Sequence, residues 1–180
     1  MSVSDSKFNP AVLPQDLVES YAQSSPNVHG PRHFLYPGQI FVTREAMTIS
    51  TILGSCAAVC LWDMRRRMGG MNHYLLPEGP DDSLNRFRYG NNANPALLSE
   101  LLALGCQIKD MQAKVFGGAS AFSANPILAL GGRNVELAVR FLLEAGIPIM
   151  AKDVSGKHGR RLMFHTGTGA TEVISYEKVT

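Results

Sequence analysis

The sequence predicts a single mixed α/β domain, with a β-sheet or β-sandwich core and helices packed outside it. Two observations support this prediction. Short segments rich in β-branched and apolar residues outnumber helical ones, and apolar residues recur at clear helical spacing in only two stretches. The chain has 180 residues, of which 45% are hydrophobic and 18% are charged. A chain of this size buries about 70% of the surface that its unfolded form exposes, which is enough for a core without disulfides or metals.

The strand-like segments follow one another through most of the chain. The stretch from Ile40 to Leu53 alternates and is rich in β-branched residues, which is typical of a strand. Two nearly continuous apolar runs, 57–62 and 70–76, are joined by the polar segment 63–68, a pattern that predicts a hairpin. Further strands are predicted at 113–116, 147–153, 161–166 and 171–175.

Two helices are predicted from capping residues and periodicity. In the first, Asn94 supplies the N-cap and Pro95 the first turn, and leucines then recur at helical spacing until Gly105. The second runs from about Asn134 to Gly146 and is followed by Ile-Pro.

The chain divides into a leader and a domain. Residues 1–32 are rich in Ser, Pro, Asn and Gln and contain only one short apolar patch, so we expect a mostly flexible N-terminal leader. From residue 33 to residue 180 the pattern is dense and typical of a globular domain.

Composition and charge exclude several classes of protein. The chain has 17 basic and 15 acidic residues, a net charge of +2 that is too weak to indicate nucleic-acid binding. No apolar run approaches the ~18 residues of a membrane-spanning helix, and the N-terminus lacks a secretory pattern, so we expect no membrane insertion. Three cysteines cannot all pair, which favours a reducing, cytoplasmic location.

The predicted hairpin places a cysteine close to a histidine. If its strands end near 62 and 69, paired residue numbers add to about 131, and His73 lies opposite residue 58. Cys56 is then a diagonal neighbour of His73 on the same face of the sheet. An imidazole beside a thiol lowers the pKa of the thiol or takes its proton, which is how a cysteine nucleophile is activated.

A hydroxyl that orients the imidazole would complete this arrangement, and Ser50 and Thr51 lie one strand earlier. Residues 50 and 56 are an even number apart, so their side chains share a face if 49–56 is one strand. This parity favours Ser50 over Thr51, although a bulge at Gly54 would reverse it. Backbone N–H groups around Gly54 and Cys56 are candidates for binding an oxyanion.

The same cysteines also have simpler interpretations. A cysteine in an apolar strand is usually a small buried hydrophobe, and Cys60 and Cys106 are interpreted in this way. Cys56, Cys60 and His73 suggest a zinc site, but this spacing within a strand lacks the turn of structural zinc sites, and a fourth ligand is missing. We therefore predict neither a metal nor another cofactor.

Several motifs, in this order, resemble those of the CheD family of chemoreceptor glutamine deamidases. They are Leu53-Gly-Ser-Cys56, Gly70-Met-Asn-His73, Lys114-Val-Phe-Gly-Gly-Ala119, Gly132-Arg-Asn-Val135 and Ala151-Lys-Asp-Val154. The resemblance extends from about Ile40 to Thr171 and leaves the leader outside. It departs from the family at Ser155-Gly156, where members usually have Gly-Gly.

The resemblance implies a CheD-like cysteine hydrolase, a protein-glutamine glutaminase without a cofactor, in chemotaxis. Cys56 would be the nucleophile and His73 the base. The family's hydroxyl residue lies six positions before the cysteine, where this chain has Ser50 with Thr51 beside it. The substrate would be glutamine side chains on the cytoplasmic helices of methyl-accepting chemoreceptors, and a CheC-type phosphatase is a further implied partner. The alternative is a non-catalytic adaptor that binds chemoreceptors or such a phosphatase, but the intact Cys56–His73 pair favours the enzyme.

Overall fold

A computed structural model describes residues 30–82, 84–120 and 129–176 of the chain. In chain order its elements are β1 (Arg32–Phe34), β2 (Gln39–Thr43), β3 (Thr48–Leu53), β4 (Ala57–Asp63), β5 (Met68–His73), α1 (Gly90–Ala103), β6 (Met111–Gly117), α2 (Leu130–Glu144), β7 (Ile149–Val154), β8 (Arg160–His165) and β9 (Thr171–Ser175). Residues 1–29 of the predicted leader lie outside the described residues, and Arg32 already belongs to β1.

The strands form two sheets. The four-stranded sheet has the order β1-β3-β8-β9, and the five-stranded sheet has the order β2-β5-β4-β6-β7. The β1–β3 and β6–β7 pairs are parallel and the others are antiparallel. The predicted α/β class, with a sandwich core and helices outside it, is confirmed.

Two apolar layers hold the sheets and helices together. Between the sheets lies an inter-sheet core of Leu35, Ile49, Leu53, Ala58, Cys60, Met71, Phe116, Leu162 and Phe164. The other face of the five-stranded sheet packs on α1 and α2 through residues that include Ala57, Val59, Leu61, Leu97 and Leu142. Alternate residues of β4 thus enter different layers, because successive side chains of a strand point to opposite faces. This is why β4 is an uninterrupted apolar run.

Two boundaries differ from the prediction because buried asparagines resemble helix caps. α1 begins at Gly90, so that Asn94 and Pro95 lie inside the helix, and α2 begins at Leu130 rather than near Asn134. Both asparagines are buried, and their side chains bond to other elements instead of capping their own helix. The predicted strand from Ile40 to Leu53 is also two strands, β2 and β3, which belong to different sheets.

The β4–β5 hairpin has the predicted register. Cys60 pairs with Met71 and Asp63 with Met68, and both pairs of numbers add to 131. The isolated bridge between Ala57 and Tyr74 continues the same register beyond the end of β5.

Asp63 holds the turn of this hairpin from a buried position at the end of β4. Its Oδ1 accepts hydrogen bonds from the backbone N–H groups of Arg65 at 3.0 Å and Arg66 at 2.8 Å, and its Oδ2 accepts from that of Gln107 at 3.0 Å. Burial alone raises the pKa of a carboxyl group, but these donors and the Arg66 guanidinium hold the pKa of Asp63 below its ordinary value.

Replacing Asp63 by alanine therefore tests how much this turn stabilises the fold. We expect Asp63→Ala to lower the free energy of unfolding by about 2–4 kcal/mol, because three backbone N–H groups lose a charged acceptor. Urea denaturation measures the change. Asp81→Ala is a matched control, since Asp81 is an exposed carboxylate whose ion pair with Arg86 is also exposed. Equal stability of the two variants would contradict this account of the turn.

Candidate active site

Cys56 lies where the chain crosses from one sheet to the other. β3 ends at Leu53 in the four-stranded sheet, and β4 begins at Ala57 in the five-stranded sheet. Residues 54–56, hereafter the Cys56 loop, form the connection. Cys56 is partly exposed and packs against the inter-sheet core, so its thiol lies at the edge of that core within reach of solvent.

His73 ends β5 and is almost completely buried, with 1% of its surface exposed. Its Nδ1 lies 2.8 Å from Oγ1 of Thr51, which belongs to β3 in the opposite sheet. The Thr51 hydroxyl donates to the carbonyl oxygen of Leu35 at 2.7 Å. Since a hydroxyl has one hydrogen to donate, Thr51 must accept from Nδ1–H. The imidazole is therefore held as the tautomer with its proton on Nδ1.

This tautomer leaves Nε2 of His73 as an unprotonated nitrogen. Within the described part of the chain, Nε2 is buried and has no hydrogen-bond partner. A buried lone pair without a donor is uncommon in proteins. Nε2 is thus the atom of His73 that can accept a proton.

The strand-parity argument for Ser50 fails because β3 ends at Leu53. The next two residues form a bend, so that 49–56 is not one extended strand and parity does not carry through to Cys56. Ile49 and Leu53, which share the parity of Thr51, face the inter-sheet core. Thr51 therefore points toward His73, and Ser50 points to the opposite face of its sheet.

Cys56 and His73 are diagonal neighbours, as the hairpin register predicts. They flank the bridge in which Ala57 N–H donates to the Tyr74 carbonyl at 3.1 Å and Tyr74 N–H donates to the Ala57 carbonyl at 3.0 Å. His73 lies opposite Ala58, and residues 56, 58 and 73 share the face toward the inter-sheet core. Nε2 of His73 and the Cys56 thiol are not hydrogen bonded to each other.

The β4–β5 ladder is interrupted beside His73, and a buried asparagine fills the gap. The N–H of Val59 donates to Oδ1 of Asn72 at 2.8 Å, and Nδ2 of Asn72 donates to Oδ1 of Asn94 on α1 at 2.7 Å. Asn72 thereby ties the strand that precedes His73 to both β4 and α1. Our sequence analysis missed this role, although a polar residue inside an apolar strand was its visible sign.

The residues that follow β6 form hydrogen bonds with the backbone of the Cys56 loop. Gly118 N–H donates to the Cys56 carbonyl and Ala119 N–H to the Gly54 carbonyl, both at 2.8 Å. At Gly117, which has a φ of +104°, a Cβ atom would lie 2.2 Å from the carbonyl oxygen of Cys56. This close approach explains the glycine at 117, whereas a Cβ atom at Gly118 would meet Val135 and Gly131 of α2.

Burial sets the protonation states of both reactive groups. Loss of solvation raises the pKa of the Cys56 thiol to about 11. It lowers the pKa of His73 to about 4, with the nearby Leu35 carbonyl opposing part of the shift. At neutral pH the Cys56 thiol is therefore protonated and the His73 imidazole is neutral.

No group of three or more His, Cys, Asp or Glu side chains that could hold a metal ion occurs among the described residues. In the same part of the chain, no helix is long and apolar enough to span a membrane.

The neutral state of His73 predicts a loss of stability in acid. Its pKa of about 4 lies below the ordinary 6.5, so between these values the unfolded chain binds more protons than the folded one. The free energy of unfolding should therefore fall as the pH drops from 6.5 toward 4, and the total loss below both values should be about 3 kcal/mol. Urea denaturation of the wild type and of His73→Asn, at pH 7 and in mild acid, measures the contribution of His73 to the loss of stability. An identical acid dependence of the two proteins would contradict it.

Comparisons with known proteins identify the family. The sequence model of the CheD family, described as CheD chemotactic sensory transduction, matches residues 75–175. A relative from Trichlorobacter lovleyi is 43% identical over 139 residues, which cover 77% of this chain and 86% of the relative. A second, from Sulfurimonas denitrificans, is 41% identical over 140 residues, covering 77% and 90%. A third, from Anaeromyxobacter dehalogenans, is 45% identical over 141 residues, covering 78% and 82%. All three are named as probable chemoreceptor glutamine deamidases, and this chain belongs to the CheD family.

Proposed function

We propose that this protein hydrolyses glutamine side-chain amides of chemoreceptors to glutamate, with Cys56 as nucleophile and His73 as base. One observation carries the proposal: Nε2 of His73 is unprotonated and unpartnered, while Nδ1 is held by Thr51. The names of the relatives support the substrate and the reaction. A non-catalytic adaptor would have no use for a free imidazole nitrogen beside a thiol.

The first half of the reaction forms a thioester. Sγ of Cys56 attacks the amide carbon while Nε2 of His73 takes the thiol proton, and the amide oxygen becomes an oxyanion. The C–N bond then breaks, and the imidazolium donates its proton to the leaving nitrogen, which departs as ammonia. Thr51 keeps Nδ1–H bonded throughout, which holds the imidazole in one orientation and one tautomer.

The second half hydrolyses the thioester. A water molecule attacks the γ-carbonyl carbon while Nε2 of His73 takes one of its protons, and a second oxyanion forms. When the C–S bond breaks, the proton returns to Sγ of Cys56. The product is a glutamate side chain, and both residues regain their resting states.

The substrate that we propose is a glutamine on a cytoplasmic helix of a methyl-accepting chemoreceptor, which places the enzyme in the cytoplasm. The partial exposure of Cys56 supports this, because a long side chain can reach the thiol from outside while the helix stays on the surface. A CheC-type phosphatase remains a proposed second partner, on the family resemblance alone.

Removing the thiol is the direct test of this proposal. We expect Cys56→Ala to abolish conversion of glutamine to glutamate in receptor cytoplasmic fragments, because no thioester can form, and to leave the melting temperature nearly unchanged. Mass spectrometry of the fragments and ammonia release both report the reaction. Cys106→Ala is the matched control, since Cys106 is buried in the core beneath the helices. Activity of Cys56→Ala comparable to that of the control would refute the mechanism.

The assignment of the third residue is tested by two substitutions one position apart. We expect Thr51→Val, which keeps the side-chain shape, to slow turnover roughly 10–100-fold, because Nδ1–H loses the acceptor that aims the ring. Loss of the base itself should cost more, in the range of ~10²–10⁴-fold. Ser50→Ala should leave turnover close to that of the wild type. The reverse order, at unchanged melting temperatures, would restore Ser50 as the orienting residue.

A further inference from the structure

All three carbonyl groups of the Cys56 loop accept hydrogen bonds from outside the loop. The Gly54 carbonyl accepts from Ala119 N–H and the Cys56 carbonyl from Gly118 N–H, each at 2.8 Å. Between them, the Ser55 carbonyl accepts from Nδ2 of Asn134 at 2.9 Å. Asn134 is thus the one side chain among these three donors.

Anchoring the carbonyls also fixes the direction of the N–H groups. In a trans peptide unit the N–H points opposite to the carbonyl, so the N–H groups of Ser55 and Cys56 point away from β6 and α2. Neither donates to a backbone carbonyl among the described residues, and the N–H of Cys56 contacts its own thiol. The next N–H, that of Ala57, donates to the Tyr74 carbonyl. Two N–H groups of the loop therefore have no carbonyl partner in the described part of the chain, and one of them belongs to Cys56 itself.

Asn134 also connects the Cys56 loop to the segment that follows His73. Its Nδ2 donates a second hydrogen bond, at 2.9 Å, to the carbonyl of Leu75, two residues after His73. Its own backbone carbonyl accepts from the Tyr74 hydroxyl at 2.6 Å. The side chain is completely buried in a helix face that is otherwise apolar, where an alanine or leucine would suffice for packing. Burying an amide is costly unless it forms hydrogen bonds. Here both bonds of the Asn134 side chain are donated by Nδ2 to the two segments of the site, while its Oδ1 has no partner among the described residues.

We propose that Asn134 is a positioning residue that sets the Ser55–Cys56 peptide so that its N–H binds the oxyanion of the reaction. This inference rests on the deamidation proposed above and adds a residue to it. Hydrogen-bond donors stabilise an oxyanion best when they are oriented before the charge develops. Donors that must reorient during the reaction lower the activation free energy less. Asn134 supplies that orientation from a rigid helix without touching the substrate.

Two reactions of the same thiol separate this role from a general structural one. Deamidation passes through an oxyanion, whereas alkylation of Cys56 by iodoacetamide displaces iodide at a saturated carbon and forms none. We expect Asn134→Ala to lower kcat for receptor fragments by about 10²–10³-fold, the effect of losing one oxyanion donor. KM and the rate of Cys56 alkylation should change little. Asn134→Ser, whose hydroxyl is too short to bridge both carbonyls, should show the same pattern.

Leu142→Ala is the matched control on α2, because it removes a fully buried side chain without a hydrogen bond to the site. It should lower the melting temperature while keeping kcat, measured well below that temperature, near the wild-type value. The inference is overturned if Asn134→Ala keeps normal kcat, if alkylation slows in parallel with kcat, or if neither Asn134 variant folds. A wild-type protein that deamidates no receptor fragment would instead refute the proposed function, and the Asn134 proposal with it.

Discussion

The hydrogen bond between the two sheets, from Nδ1–H of His73 to the hydroxyl of Thr51, is the interaction on which the site depends. The Thr51 hydroxyl donates its own hydrogen to the Leu35 carbonyl and must therefore accept from Nδ1–H. The segments that carry Leu35, Thr51 and His73 together determine the tautomer of the imidazole. The bond exists only when the four-stranded and five-stranded sheets are packed face to face. The chemistry of Nε2 is therefore a product of tertiary packing, and no isolated hairpin that carried Cys56 and His73 would reproduce it.

Three buried asparagines make hydrogen bonds around this site. An amide side chain can both donate and accept, and Asn72 does both. Asn72 and Asn94 bridge the interrupted ladder beside His73, and Asn134 bridges the Cys56 loop and the segment after β5. Among the described residues, Nε2 of His73, Nδ2 of Asn94 and Oδ1 of Asn134 are buried here without a hydrogen-bond partner, and of these Nε2 is the one that can accept a proton as a base.

Sequence reasoning succeeded where local spacing decides the structure and failed where the chain changes direction. The lengths of two apolar runs and of the turn between them were enough to predict the register of the β4–β5 hairpin, because a hairpin has few possible registers. Parity could not be carried from Ser50 to Cys56, because β3 ends and the chain crosses between sheets at Gly54 and Ser55. The sequence places helix starts at Asn94 and near Asn134, since an asparagine that caps a helix and one that bonds to a sheet look the same in a sequence. Only the three-dimensional partners of the side chains separate these two roles.

The neutral resting state of the pair has a chemical consequence for an enzyme that acts on other proteins. A thiol with a pKa of about 11 is almost entirely protonated at neutral pH, and protonated thiols react slowly with oxidants and with other electrophiles. The unpartnered imidazole nitrogen keeps the base available, but the proton transfers only when an electrophilic carbon is close enough for the new bond to compensate for the charge separation. Oriented N–H groups that bind the developing oxyanion lower the same barrier. In the proposed mechanism, Cys56 therefore reacts fastest when an amide carbonyl is bound in the site, and the burial that disfavours the free thiolate slows its reactions with other electrophiles.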